Sequence, residues 1–214
     1  MEDLDAAGFP VRKSSLDKAG VKLCLSWLAN FHAAFLNEVP DGLWQTGTYW
    51  HLATRPDELE AMQEGDMKRF AHAIDKMLNE CAYQTFVHGD AKVANFCFSN
   101  DEKSVAAVDF QYVGRGCGMK DVAYFLGSCL SEHECDQWEE ELLNYYFVEL
   151  KTALDLMEKK VDWHVLKAEW LALFPVAWTD FYRFMLGWMP THRKINAYTK
   201  KTASQVIKQL TITD

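Results

Sequence analysis

Val21, Cys24, Leu25, Leu28, Phe31, His32 and Phe35 recur three and four residues apart. That is the spacing of one buried helix face, and it predicts a helix over residues 15–37. Ser14, with Asp17 three residues on, resembles a capping box at its start. His32, on that face, reads as a packed core histidine. The residues before it carry no period, Gly8-Phe9-Pro10 reads as a turn, and the segment reads as a frayed terminus. Residues 38–56 are irregular, broken by Pro40, Gly42 and Gly47 around Trp44, Tyr49 and Trp50; these aromatic residues either line a pocket or fold back onto the body of the domain. A helix is expected from Pro56, with Thr54 as its cap and Asp57, Glu58 and Glu60 near its positive end. A second, over residues 65–81, runs through Met67, Phe70, Ala71, Ile74, Met77 and Leu78, with Gly65 marking the joint.

The period then shortens. Thr85-Phe86-Val87-His88 reads as a strand, and Asn95-Phe96-Cys97-Phe98 and Val105-Ala106-Ala107-Val108 as two more, joined by the polar turn Ser99 to Lys103. This hairpin brings Asn95, at the start of one strand, beside Asp109, at the end of the other. Gly114, Gly116 and Gly118 invite a phosphate-cradling reading, but no Lys-Ser or Lys-Thr closes the run, and a flexible or tightly turned segment is the expectation. From Asp121 the pattern is helical. Leu142, Leu143, Tyr146, Phe147, Leu150, Ala153, Leu154 and Met157 stripe a helix over 134–159. A further run from Trp163 is kinked or split by Pro175 and ended by Pro190. A last amphipathic helix covers 195–210. The expected class is α+β, mostly α, in one domain over residues 15–214 preceded by a linker, 1–14.

The chemistry concentrates in His88-Gly89-Asp90-Ala91-Lys92-Val93-Ala94-Asn95-Phe96 and in Asp109-Phe110. Two carboxylates, a carboxamide and an ammonium in so short a space suit phosphoryl transfer. Asp90 would accept a hydroxyl proton, Asn95 and Asp109 would hold Mg²⁺, and Lys92 would lie against the migrating phosphoryl group.

The formal net charge of -9 leaves no basic stripe for a phosphate backbone, so nucleic acid is not an expected partner. The six cysteines form no Cys-x-x-Cys and no zinc rhythm, which fits a reducing compartment. No apolar run reaches bilayer length, and Glu2, Asp3 and Asp5 stand where a signal peptide is basic and then apolar. A cytoplasmic protein without a membrane partner is expected.

His88-Gly89-Asp90 through Asn95, with Asp109-Phe110 and Asp121, resembles the C-terminal lobe of the protein kinase-like small-molecule kinases related to aminoglycoside phosphotransferases and choline kinases. Asp109-Phe110-Gln111 and Asp180-Phe181-Tyr182-Arg183 are similar to the ecdysteroid kinase-like branch and its uncharacterised bacterial relatives. The resemblance implies ATP and Mg²⁺ as cofactors, Asp90 as base, Asn95 and Asp109 as metal ligands, and Lys92 beside the transferring group. Asp121 would brace the catalytic loop through its backbone, and His88 would support the metal loop. Glu2-Asp3-Leu4 resembles the hinge between the two lobes, so Glu2, Leu4 and Phe110 would lie by the nucleotide, and the chain would begin at the hinge without its N-terminal lobe.

These features lead to an expectation of a phosphotransferase acting on a small alcohol, apolar and steroid-like or an amino alcohol, with this lobe alone inactive. The acceptor would sit among Trp44, Tyr49, Trp50 and the aromatic residues of the helices over 134–190. Two alternatives stand beside it: a non-catalytic helical binding protein that kept the fold, and a metal-dependent hydrolase using Asp90, His88 and Asp109.

Overall fold

The computed structural model describes residues 3–213. Among these, β1 (Val11–Arg12) precedes α1 (Lys18–Ala34), and α2 (Pro56–Ala61), α3 (Asp66–Arg69) and α4 (Ala71–Asn79) follow an irregular loop. Then come β2 (Thr85–Val87), β3 (Phe96–Phe98), β4 (Val105–Ala107) and β5 (Gly114–Gly116). The helices α5 (Met119–Cys129), α6 (Glu132–Leu156), α7 (Trp163–Trp188) and α8 (Ala197–Thr213) complete the chain. No helix among the described residues is long and apolar enough to cross a membrane.

Several local expectations change. The cap of α1 is Asp17 itself, whose side chain accepts from Gly20 N, so Ser14 does not cap it. Thr54 does not cap α2; its hydroxyl turns back to His51 O, and Pro56 at the first turn needs no partner for a missing N–H. Gly65 does mark a joint, and beyond it the predicted single helix divides into α3 and α4 at Phe70. Pro175 lies inside a continuous α7. The helix is packed against α2, α4, α5 and α8, and that burial offsets the hydrogen bond that proline removes.

The terminus before α1 is not frayed. Val11 and Arg12 pair antiparallel with Phe98 and Cys97, so the predicted hairpin gains a third strand in the order β1-β3-β4. The glycine-rich run is likewise no free loop: Gly114 to Gly116 pair antiparallel with Val87 to Thr85. Glycine is needed at Gly114 because a Cβ there would lie 2.4 Å from Trp44 O, where the 38–56 loop crosses the strand.

One large apolar cluster joins α1, α4, α5, α6 and α7 behind these strands, and a smaller one of Trp50, Tyr124, Phe184 and Met185 lies under the loop that carries Asp90. The smaller cluster is fixed by a buried ion pair. Asp180 Oδ1 accepts from Arg183 Nε at 3.1 Å and Nη2 at 3.0 Å, Trp50 Nε1 donates to Asp180 Oδ2 at 2.9 Å, and Arg183 Nη2 donates to Trp50 O at 3.0 Å. Both charges are fully buried, so each depends on its partners for the solvation that water no longer gives. Trp50 is thereby anchored to α7.

A second buried carboxylate holds the loop above. Asp121, in the first turn of α5, accepts from His88 N at 2.5 Å and from Gly89 N at 3.0 Å. His32 Nε2 lies 3.1 Å from the same carboxylate, and His32 Nδ1 lies 2.7 Å from Tyr146 Oη. The arrangement is satisfied when Nε2–H donates to Asp121 and the Tyr146 hydroxyl donates to Nδ1. One chain of hydrogen bonds therefore runs from α6 through α1 and α5 to the loop.

Asp180→Ala leaves Arg183 buried without its carboxylate, and urea denaturation is expected to show a loss on the order of 3 kcal/mol or more. A loss below about 1 kcal/mol would mean that the pair does not secure the Trp50 loop. Asp121→Ala removes two charge-assisted hydrogen bonds, so hydrogen exchange at the His88 and Gly89 amides is expected to quicken roughly tenfold or more. Unchanged protection at both amides would contradict the brace.

Candidate active site

The loop between β2 and β3 is shaped first by Gly89. Its φ is +80°, and a Cβ there would sit 2.4 Å from Tyr112 O and 2.8 Å from Thr48 N. Only glycine permits that approach. Tyr49 N donates to Gly89 O at 3.2 Å, which lays the anchored 48–50 segment beside the loop. Asp90 then turns into the interior, 4 % exposed.

Three donors reach its carboxylate. Lys92 Nζ lies 2.6 Å from Oδ2, Asn95 Nδ2 lies 3.1 Å from the same oxygen, and the Tyr124 hydroxyl donates to Oδ1 at 2.9 Å. Asn95 Nδ2 also donates to Asp90 O at 2.8 Å. A carboxylate oxygen accepts two hydrogen bonds, so Oδ1, with one from Tyr124, keeps capacity for a hydroxyl presented from the adjoining cavity.

That cavity, about 390 Å³, is lined by Asp90, Lys92, Tyr49, Tyr112, Tyr124 and Gln111, and by Phe181, Met185, Trp188, His192 and Lys194. Burial raises both phenols that hydrogen-bond near Asp90, Tyr49 to about 12 and Tyr124 well above its usual range, with the charge of Asp90 adding to each. Both therefore remain protonated donors at neutral pH. Burial also lowers Lys194, to about 8, with Cys129 opposing and Arg193 adding to the shift.

The hairpin gathers the proposed metal ligands. Val108 N donates to Asn95 O at 2.9 Å, placing Asp109 where β4 ends, with a φ of +68°. Left-handed backbone at an aspartate is uncommon and is found where surrounding structure imposes it. Asp109 is exposed and, among the described residues, makes no hydrogen bond or ion pair. The amide nitrogen of Asn95 is spent on Asp90, which leaves its carbonyl-type oxygen available. This pair of hard oxygen donors fits Mg²⁺, a metal held by one or two protein oxygens with phosphate and water completing its octahedron. Among the described residues no three His, Cys, Asp or Glu side chains converge on a common point, so the ligand set depends on the substrate's own oxygens.

His88 has both ring nitrogens engaged. Asp90 N donates to Nδ1 at 3.3 Å, which puts the proton on Nε2, and Nε2 donates to Val108 O at 2.9 Å. It thus holds the residue before Asp109 and has no nitrogen left for a metal or a proton transfer. That arrangement removes the histidine on which a hydrolase reading relied.

Phe110 packs 4.8 Å from the His88 ring and is 44 % exposed. Leu4 lies half-buried in the N-terminal turn, its carbonyl accepting from Phe9 N, and it does not line the cavity over Asp90. Glu2 lies outside the described residues. Of the aromatic residues expected around the acceptor, Tyr49 lines the cavity and Trp50 lies beneath it, fully buried. Trp44 instead lines a separate open groove with Phe110 and Gln111, and its Nε1 donates to Gln111 O at 2.8 Å. The helical contribution to the cavity comes from Tyr124 of α5 and from Phe181, Met185 and Trp188 of α7, with none from α6.

Tyr124, Tyr112, His192 and Lys194 were not singled out by the sequence pattern. Tyr124 carried a signal, since it follows Asp121 by three residues and so shares its helix face. Lys194 carried none, standing in an irregular segment about a hundred residues from Asp90.

Comparison with curated proteins and comparison with solved structures each return no match. A family model, that of the ecdysteroid kinase-like family, matches residues 43–159. The match spans more than half of the chain and includes the Asp90 loop, the β3–β4 hairpin and Asp121. The chain belongs to the ecdysteroid kinase-like family.

Proposed function

We propose that this chain carries the catalytic and metal loops of an ATP- and Mg²⁺-dependent phosphotransferase that moves the γ-phosphoryl group onto an alcohol hydroxyl. The observation that carries the reading is the division of labour around Asp90. Its Oδ2 is held by Lys92 and Asn95, its Oδ1 faces the cavity beside Tyr124, and the two oxygen donors suited to Mg²⁺ stand at the neighbouring end of the hairpin.

In this reading the acceptor enters among Tyr49, Tyr112, Tyr124 and Trp188, and its hydroxyl donates to Asp90 Oδ1. As the oxygen attacks phosphorus, the proton passes to Asp90. Tyr124 stays protonated and keeps the carboxylate oriented. Lys92, 41 % exposed along its side chain, has spent one of three N–H donors on Asp90 and turns the others toward the migrating group, where positive charge favours the transition state. Asn95 Oδ1 and Asp109 would hold Mg²⁺, which when bound neutralises charge on the nucleotide phosphates. Phe110, half-exposed beside the metal position, offers a nearby apolar surface, and Asp121 and His88 keep the loop in register without touching substrate.

A non-catalytic binding protein has no need for a buried aspartate with an unfilled acceptor site beside an Asn side-chain oxygen and an Asp carboxylate that, among the described residues, accept no hydrogen bond. Calorimetric titration with MgATP separates the two readings. Heat of binding that requires Mg²⁺ is expected for the wild type, and Asp109→Ala is expected to weaken it by roughly tenfold or more. Equal binding with and without Mg²⁺, or an Asp109→Ala variant that binds MgATP as the wild type does, would overturn the assignment.

A further inference from the structure

Lys194 is a part-buried cation at the cavity that the reaction above does not use. It stands in the segment between α7 and α8, with Nζ 5.8 Å from the centroid of the Tyr124 ring, and it lines the cavity that also receives Asp90. Among the described residues its ammonium has no hydrogen-bond acceptor and no ion pair. It also lines a second cavity of about 510 Å³ that shares Phe181 and Met185 with the first. The acidic residues there are otherwise engaged: Glu132 accepts from Ala197 N at 3.0 Å, and Glu134 accepts from Ser131 N at 2.8 Å. Asp90, the carboxylate of the first cavity, already has Lys92 at 2.6 Å.

A cation held partly out of water without a partner is costly, and burial already pushes Lys194 down to about 8. A ligand carboxylate would supply that partner. The walls between Lys194 and Asp90 are the faces and edges of Tyr49, Tyr124, Phe181 and Trp188, which favour a flat apolar body over a flexible polar one.

We propose that Lys194 holds an anionic group, a carboxylate or its equivalent, on a hydroxylated aromatic acceptor whose hydroxyl faces Asp90. The assignment deepens the phosphotransferase reading by naming the substrate class. It also disfavours an amino alcohol, since a ligand cation would meet Lys194 and Lys92 with no spare carboxylate. The overall negative charge of the protein does not oppose it, because exposed charges beyond about 10 Å are largely screened while the two part-buried cations at the cavity are screened less.

Fluorescence titration in the absence of nucleotide tests the pairing, with 4-hydroxyphenylacetate and its uncharged analogue 4-hydroxyphenylacetamide as probes. The wild type is expected to bind the acid about tenfold more tightly than the amide, the scale of one charge-assisted hydrogen bond. Lys194→Met is expected to abolish that preference while leaving the amide within about twofold, and Lys194→Arg to keep it. The acid-to-amide ratio is internal to each protein, so a general loss of folding does not mimic the effect. Equal binding of acid and amide by the wild type, a Lys194→Met variant that retains the preference, or no binding of the acid at all would overturn the proposal. Inorganic phosphate is the further arm: if it displaces the acid and loses affinity equally in Lys194→Met, Lys194 belongs to the transferred group and the acceptor assignment fails. None of these outcomes alters MgATP binding through Asp109, so failure here is distinct from failure of the phosphotransferase reading.

Discussion

The Asp121 carboxylate is the constraint on which the site depends. A loop containing Gly89 at φ +80° has little tendency to hold one shape, and two of its amides would otherwise be buried without partners. Asp121 accepts from both and is itself held by His32, which is held by Tyr146. Three helices from distant parts of the sequence therefore fix the position of Asp90. The charge is costly to bury, and it is stabilised by the three donors that reach it. The Asp180–Arg183 pair does the equivalent for the other wall, anchoring Trp50 and so presenting Tyr49 and Thr48 to the loop.

Rigidity below and openness above follow from the same arrangement. The groups that would meet substrate each keep one unsatisfied capacity: one acceptor site on Asp90 Oδ1, the oxygen of Asn95, the carboxylate of Asp109, and the ammonium of Lys194. The groups that position them, Asp121, His88, Asp180 and Trp50, are buried and hydrogen-bonded to the protein frame. A protein with net charge -9 thus places two lysines at the cavity proposed for phosphoryl transfer, and local placement, not total charge, sets the electrostatics of the site.

The sequence disclosed what depends on short range. His88 to Asn95 and Asp109 lie within one loop and one hairpin, so spacing alone brings them together, and the long helices follow from apolar residues at 3.6-residue spacing. What it concealed depends on partners. Val11 and Arg12 are too few to show alternation, and Gly114 and Gly116 have no side chains to show it, so β1 and β5 exist only through the strands beside them. Ser14 is the expected start of a capping box with Asp17 three residues on, and the turn geometry makes Asp17 the cap. Pro175 reads as a break in any isolated helix, and only burial on several sides keeps α7 intact. Lys194 and His192 reach the cavity because α7 ends above Tyr124, a fact of packing that no local pattern records.

The central claim is that Asp90 removes the proton of an acceptor hydroxyl during phosphoryl transfer. The most direct measurement follows the γ-phosphoryl group of labelled MgATP onto a hydroxylated aromatic acid, comparing the wild type with Asp90→Asn at saturating nucleotide. The account predicts a transfer rate lowered by roughly a hundredfold or more in the variant with MgATP affinity retained. Equal rates in the two proteins would contradict it.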